Sequence, residues 1–231
     1  MQVLSPQLLL CAYASGVFPM ANDRCDPTIH WIEPRRRGIL PLDALHVPRS
    51  LRKVIRQGRF EIRVDGDFAQ VIASCAASRP ERPRTWLNDE LLELYCGLHA
   101  LGYAHSVEAW ADGHLAGGLY GVSIGAAFFG ESMFSRQRDA SKVALVELVA
   151  RLRAGGYRLL DTQFVTDHLR RFGAIEIARS AYRALLRAAI DSPAIFYGDA
   201  GGMPSVAPWS PAPPSSGRAS IGSSQSTTHT S

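Results

Sequence analysis

None of the four cysteines, Cys11, Cys25, Cys75 and Cys96, stands in a CxxC pair, and the scattered histidines do not complete a zinc-type set around them. Structural metal sites need thiolates and imidazoles at short, repeated intervals, so no metal is expected and the cysteines read as reduced thiols. Long hydrophobic runs are equally scarce. Leu8-Leu9-Leu10-Cys11-Ala12 is far shorter than the roughly 20 residues a membrane span needs. No lysine or arginine precedes it, as a signal peptide would require. The expected compartment is the cytoplasm, with no membrane partner. Also missing are a Walker loop, a GxSxG elbow, an HExxH pair and a GxGxxG turn opening a helix. Those absences remove the commonest nucleotide, serine-hydrolase and zinc-protease chemistries. No internal repeat and no hydrolase triad is evident.

What remains is ordinary globular material. Of 231 residues, 46% are hydrophobic and 20% charged, enough for one large domain or two small ones with a real core. The net charge of +4 and pI near 9.0 permit a polyanionic partner without demanding one. The charge is uneven, however. Arg35, Arg36, Arg37, Arg49, Arg52, Lys53, Arg56, Arg59 and Arg63 face only Asp43 and Glu61. Such a run is either a solvated helix face or a phosphate-binding surface. From Gly201 the composition collapses into Gly, Pro, Ser and Thr, with Arg218 the only formal charge. Too little apolar surface is left there to offset chain entropy, so residues 201–231 read as a disordered tail.

Local pattern gives a coarse element order. Ser5 suits a helix cap and Pro6 the first helical position, ahead of a loop carrying Phe18, Pro19, Trp31 and Pro34. Residues 67–78 and 88–101 read as helices, the second with Leu91, Leu92, Leu94, Tyr95, Leu98 and Leu101 at helical spacing. Tyr103 to Trp110, Leu115 to Ser123 and Ala126 to Phe129 read as a strand meander turning at Asp112-Gly113 and Gly125. A helix from Ala140 to Ala154 stops at Gly155-Gly156, a strand covers Leu159 to Phe164, and Tyr182 to Ala189 is helical. Phe196 and Tyr197 are expected to close the fold.

Three segments place a carboxylate in strand-like apolar sequence: His105-Ser106-Val107-Glu108, Gly130 to Ser135 with Glu131, and Leu159-Leu160-Asp161-Thr162-Gln163. An isolated buried carboxylate costs several kcal/mol, so each must be paired, hydrogen-bonded or functional. Their convergence would make a site. Asp161 and Gln163, two apart in a strand, share a face and would suit orientation of an amine and a carbonyl in acyl transfer. The alternative is an Asp capping the turn at Thr166-Asp167. Glu131 is either an anionic seat for a cationic ligand group or a structural ion pair with Arg136, Arg138 or Lys142. Trp31 and Trp86, flanked by arginines, suit either base stacking or plain packing.

Taken in order, the motifs are more specific than any one alone. They are Tyr13-Ala14-Ser15-Gly16-Val17-Phe18-Pro19, Arg84-Thr85-Trp86-Leu87, Gly102 to Glu108, Gly117-Gly118-Leu119-Tyr120-Gly121-Val122, Gly130-Glu131-Ser132-Met133-Phe134-Ser135, Ala140-Ser141-Lys142 and Asp161-Thr162-Gln163. In these the chain resembles the bacterial leucyl/phenylalanyl-tRNA–protein transferase family over roughly residues 4–190. The resemblance implies an α+β fold: a GNAT-like, largely antiparallel mixed sheet flanked by helices (36–200), preceded by a small N-terminal domain (1–35). It also implies transfer of Leu or Phe from aminoacyl-tRNA to proteins beginning with Arg or Lys, marking them for N-end rule degradation. The enzyme would be a monomer needing neither cofactor nor metal. Asp161 and Gln163 resemble the family's proposed catalytic pair, and Glu131 a carboxylate of the acceptor site. Leu119, Met133, Leu145, Leu148, Leu152 and Leu160 would form the amino-acid pocket, and Tyr13 and Trp86 would contact the tRNA 3′ end. This chain departs from the family at Met20, where some members carry a stacking tryptophan, and at Leu148 and Leu152, where others have phenylalanine. The rival readings are another GNAT-like acyltransferase, such as a tRNA-dependent peptidoglycan-bridge ligase, and a non-catalytic RNA-binding protein.

Overall fold

The structure is a computed structural model that describes residues 4–78 and 84–197; the tail from Gly201, expected to be disordered, lies outside the described residues. Nine strands and seven α-helices are present among them. In chain order these are α1 (Pro6–Ala14), β1 (Phe18–Met20), β2 (His30–Ile32), β3 (Arg36–Ile39), α2 (Arg49–Arg56), β4 (Glu61–Val64), α3 (Phe68–Ala76) and α4 (Asp89–Ala100). They continue with β5 (Ala104–Ala111), β6 (His114–Ile124), β7 (Ala127–Ser135), α5 (Ala140–Ala154), β8 (Leu159–Gln163), α6 (Asp167–Arg170), β9 (Ile175–Ala178) and α7 (Arg179–Ile190). No helix among the described residues is long and apolar enough to cross a membrane.

Seven strands form one sheet in the order β4-β5-β6-β7-β8-β3-β9, and β1 with β2 make a separate ribbon. Every pairing is antiparallel except β7 with β8. The fold is therefore mixed α+β with a large, mostly antiparallel sheet. Two apolar clusters occupy its two faces. One joins Leu9, Leu10 and Tyr13 of α1 with residues of α3, α4 and α7, so the N-terminal helix shares a core with the rest. The other joins α5 to Leu51 of α2 and to Phe196. Burial of these side chains, about 1.5–3 kcal/mol for each large one, supplies most of the driving force.

The locally encoded elements lie where the periodicity puts them. Ser5 caps α1 through Leu8 N–H, Asp67 caps α3 and Asn88 caps α4. Phe196 stacks at 4.1 Å on His105, and the Tyr197 hydroxyl bonds Asp65, closing the chain onto the sheet. Three expectations need correction. The segment carrying Phe18, Pro19 and Trp31 is not all loop, because Phe18–Met20 pairs with His30–Ile32 as the β1–β2 ribbon. The strand read as ending at Phe129 runs on to Ser135, because pairing with β6 carries it through the polar Glu131 and Ser132. The basic segment is no single helix face: it contributes β3, α2 and β4, and Arg37 points inward with 1% exposure.

Candidate active site

The parallel pairing of β7 and β8 lasts only three residues, matching Ala127 with Leu159, Phe128 with Leu160 and Phe129 with Asp161. Beyond Phe129 and Asp161 the pairing stops and both strands continue unpaired to each other. This fork opens a cavity of about 640 Å³. Gly130, Glu131, Ser132 and Met133 line it from β7, and Leu160, Thr162 and Gln163 from β8. Leu145 and Leu148 of α5 and Leu119 of β6 contribute apolar walls, while Phe18, Pro19, Met20, Trp86 and Phe164 border it from the other segments. Its size suits a ligand of small-molecule dimensions.

Asp161, the last paired residue before the fork, is fully buried and does not line the cavity. Its Oδ1 accepts from Arg37 Nε (2.9 Å) and from the Gln163 backbone N–H (2.8 Å). Its Oδ2 accepts from Arg37 Nη2 (2.6 Å) and the Tyr182 hydroxyl (2.6 Å). A carboxylate has about four lone-pair sites, and all are filled here. Burial disfavours the guanidinium charge, but Asp161 more than offsets this and the Arg37 pKa is raised. Arg37 is also clasped between the rings of Phe18 and Tyr182, at 4.5 and 4.7 Å, and donates to the Gly16 carbonyl.

The Asp161 carboxylate holds Gln163 in an uncommon backbone state. Gln163 has φ +54°, and Phe164 N–H donates to the Thr162 carbonyl at 2.6 Å, the two-residue contact of a γ-turn. A positive φ at a residue other than Gly, Asn or Asp is strained and persists only where its surroundings dictate it. The turn presses against β3 at Gly38, where a Cβ would lie 2.7 Å from the Phe164 carbonyl carbon and 2.9 Å from Thr162 Oγ1. The result points the Gln163 side chain at Glu131, with Nε2 donating to Glu131 Oε1 at 3.3 Å.

Glu131 also accepts, through Oε2, from the Tyr95 hydroxyl at 3.1 Å. The Tyr13 hydroxyl lies 2.6 Å from that of Tyr95 and also hydrogen-bonds Glu131. Burial pushes the Glu131 pKa up to about 7; the Asp161 charge adds to this, while the Tyr13 and Tyr95 hydroxyls and Arg37 pull it down. The ion-pair alternative for Glu131 is not observed. Arg136 instead donates to Ser74 and the Leu115 carbonyl, and Lys142 and Arg138 pair with Asp139. The turn-cap alternative for Asp161 fails too, because Thr166 itself caps α6.

The sequence-selected residues divide accordingly. Leu119, Met133, Leu145, Leu148, Leu160, Glu131, Gln163 and Trp86 meet at the cavity. Leu152 does not: it is fully buried in the core beside α5, about 16 Å along the helix from Ser141 at 1.5 Å per residue. Tyr13 is fully buried as well and meets the site from behind, through Tyr95 and Glu131, without lining the cavity. Glu108 lies two strands from β7 and belongs to another network, accepting from Asp67 N–H, Ser106 Oγ and Trp110 Nε1. Arg37, Tyr95 and Tyr182 were not foreseen. Only the rule that Asp161 needs a partner pointed toward them. No group of side chains suited to a metal ion occurs among the described residues. On α2 and just after it, Arg49, Arg52, Lys53, Arg56 and Arg59 are exposed, and no carboxylate pairs with them among the described residues.

Comparison with known proteins adds the lineage. Residues 39–187 match the leucyl/phenylalanyl-tRNA protein transferase family, and residues 2–35 match the N-terminal domain of the same family. Among similar proteins is the leucyl/phenylalanyl-tRNA–protein transferase of Paramagnetospirillum magneticum, 58% identical over 196 residues that cover 85% of this chain and 94% of that one. That of Rhodopseudomonas palustris strain HaA2 is 59% identical over 193 residues, 84% of this chain and 86% of the relative. Among solved structures, L-PGS from Bacillus licheniformis overlays 70% of this chain and 54% of its own at 13% identity and a TM-score of 0.36, too distant to carry weight. With two family matches spanning most of the chain and relatives this close in sequence, the chain belongs to the leucyl/phenylalanyl-tRNA–protein transferase family.

Proposed function

We propose that the chain moves leucine or phenylalanine from aminoacyl-tRNA to the α-amino group of a protein beginning with Arg or Lys, marking that protein for N-end rule degradation. The observation carrying this reading is the fork between β7 and β8, which joins an apolar sac to a carboxylate and an oriented amide. An aminoacyl ester is already activated, so the site chiefly has to align amine and carbonyl and stabilise the oxyanion. Gln163, held in its γ-turn, orients the reacting groups; Asp161 is a positioning residue acting through the Gln163 backbone. Glu131 faces the acceptor amine, and Trp86 stacks on the tRNA 3′ end, with Tyr13 supporting the site from beneath. The splayed parallel pair also supports a GNAT-like reading of the sheet; the proposed organisation is a catalytic domain over 36–200 behind an N-terminal domain of 1–35, working as a cytoplasmic monomer.

The test is transfer of labelled amino acid to two model proteins that differ only in beginning with Arg or Glu. The Arg protein is expected to be labelled from leucyl- and phenylalanyl-tRNA and the Glu protein not. A wall of Leu119, Met133, Leu145, Leu148 and Leu160 crowds a β-branched side chain near Cβ, so isoleucyl-tRNA is expected to serve at least about tenfold worse, or about 1–3 kcal/mol. Equal use of isoleucyl-tRNA would show that the sac does not hold the amino acid.

The exposed cations of α2 are the expected phosphate contacts. Affinity for tRNA is expected to fall steeply between about 50 and 200 mM salt. Charge reversal of Arg52 and Lys53 together is expected to weaken tRNA binding and to flatten that dependence by about two units of log–log slope. A filter-binding salt series on both proteins measures this, and identical slopes would return α2 to a plain solvated face.

A further inference from the structure

We propose that Glu131 is the proton acceptor of the transfer step, taking the proton that the acceptor nitrogen sheds as it attacks the ester. The inference rests on the function proposed above. Of the three polar groups nearest the fork, only Glu131 is free to do this. Asp161 is buried, has all four lone-pair sites occupied, and would break its ion pair with Arg37 on accepting a proton. A carboxamide such as Gln163 accepts hydrogen bonds but not protons at neutral pH. Glu131 borders the cavity, and its bonds to Gln163, Tyr95 and Tyr13 leave one of its four sites open.

The surroundings match the task. The titratable and charged groups bearing on Glu131 are Tyr13 of α1, Tyr95 of α4, Arg37 of β3 and Asp161 of β8. Between them and burial, its pKa is set at about 7, close to that of an α-amino group near 8 and to an operating pH near neutrality. In the step itself, the nitrogen lone pair forms the C–N bond while the carbonyl π pair moves to oxygen. The excess proton on nitrogen passes to the Glu131 carboxylate. The π bond then re-forms, the C–O bond to the ribose oxygen breaks, and that oxygen takes the proton from Glu131. Amide and free tRNA hydroxyl result, and the carboxylate is restored.

The experiment is single-turnover transfer at saturating acceptor across pH 5.5–9 for wild type, Glu131→Gln and Tyr95→Phe. The wild-type rate should rise with pH through an inflection near 7, since the deprotonated carboxylate is the active form. Glu131→Gln, which retains hydrogen-bonding capacity, should lose roughly 10²–10⁴-fold in rate and keep only the limb of the amine itself. Tyr95→Phe removes a donor to the carboxylate, so its inflection should move to higher pH. A merely structural role would not move that profile. A Glu131→Gln enzyme within a fewfold of the wild-type rate, with only a raised KM for acceptor, would make Glu131 a binding seat and overturn the proposal. An unmoved Tyr95→Phe inflection would overturn it too, and decides the matter if Glu131→Gln does not fold. Wild-type enzyme that labels no acceptor would instead sink the proposed function, and this step with it.

Discussion

Replacing Asp161 with alanine is expected to lower transfer by about a hundredfold or more and, unlike most active-site substitutions, to lower stability as well. Both effects come from what the carboxylate holds. Arg37 is 1% exposed and would be left as a buried cation without its partner, a defect worth about 3–5 kcal/mol. Against a typical domain stability of about 5–15 kcal/mol, that loss should lower Tm by on the order of 10 °C. The Gln163 N–H would lose its acceptor and the positive-φ turn its restraint, letting the amide swing away from Glu131. Asp161→Asn should fall between, because its carbonyl can still accept from Gln163 while its amide meets donors on Arg37 or Tyr182. Thermal melts and single-turnover rates on the two variants check this. Wild-type stability in a folded Asp161→Ala protein would mean that Arg37 finds another partner and the strut is not needed.

Gly38→Ala is expected to cost about ten- to a hundredfold in transfer, although residue 38 touches no substrate. Its φ is ordinary; the constraint is space. The new methyl would lie 2.7 Å from the Phe164 carbonyl carbon, 2.9 Å from Thr162 Oγ1 and 3.0 Å from the Phe164 oxygen. Two of those atoms are backbone and cannot turn aside. Either β3 shifts and disturbs Arg37, or the γ-turn shifts and carries Gln163 with it. Overpacking of this kind costs about 1–3 kcal/mol, so the protein should fold with a reduced Tm. The diagnostic result is a fall in the rate at saturating substrates that exceeds any change in tRNA affinity. A fall in affinity alone would place the disturbance at the cavity rim rather than at Gln163.

Several elements of this protein were legible one residue at a time. Of the apolar residues at helical spacing, Leu91, Leu94, Tyr95 and Leu98 are the buried ones of α4, while Leu92 is half-buried and Leu101, at the helix end, is exposed. Gly155-Gly156 ends α5, with φ +79° at Gly156. The end of β7 was missed for the opposite reason. Glu131 and Ser132 look like the end of a strand until the neighbouring β6 is known to pair with them. The basic run misled in a similar way. Three consecutive arginines read as solvent-facing, yet β3 lies between β8 and β9, and Arg37 is drawn inward by a carboxylate 124 residues away.

By itself the sequence determined most of the local elements, the Ser5 cap of α1, and the requirement that Asp161 and Glu131 be satisfied. These follow from periodicity and desolvation, which act through near neighbours or through a single side chain's own chemistry. Only the tertiary structure decided how each carboxylate is satisfied. Asp161 is saturated by Arg37, Tyr182 and its own turn, whereas Glu131 keeps one lone-pair site open toward the cavity. Tyr13 and Leu152, equal to their fellows on the page of the sequence, are set behind the site by their depth in the core. The physical reason is that a hydrogen-bond partner is chosen by distance in space. The chain brings residues 37, 95, 131, 161 and 182 together only after the sheet has formed between them.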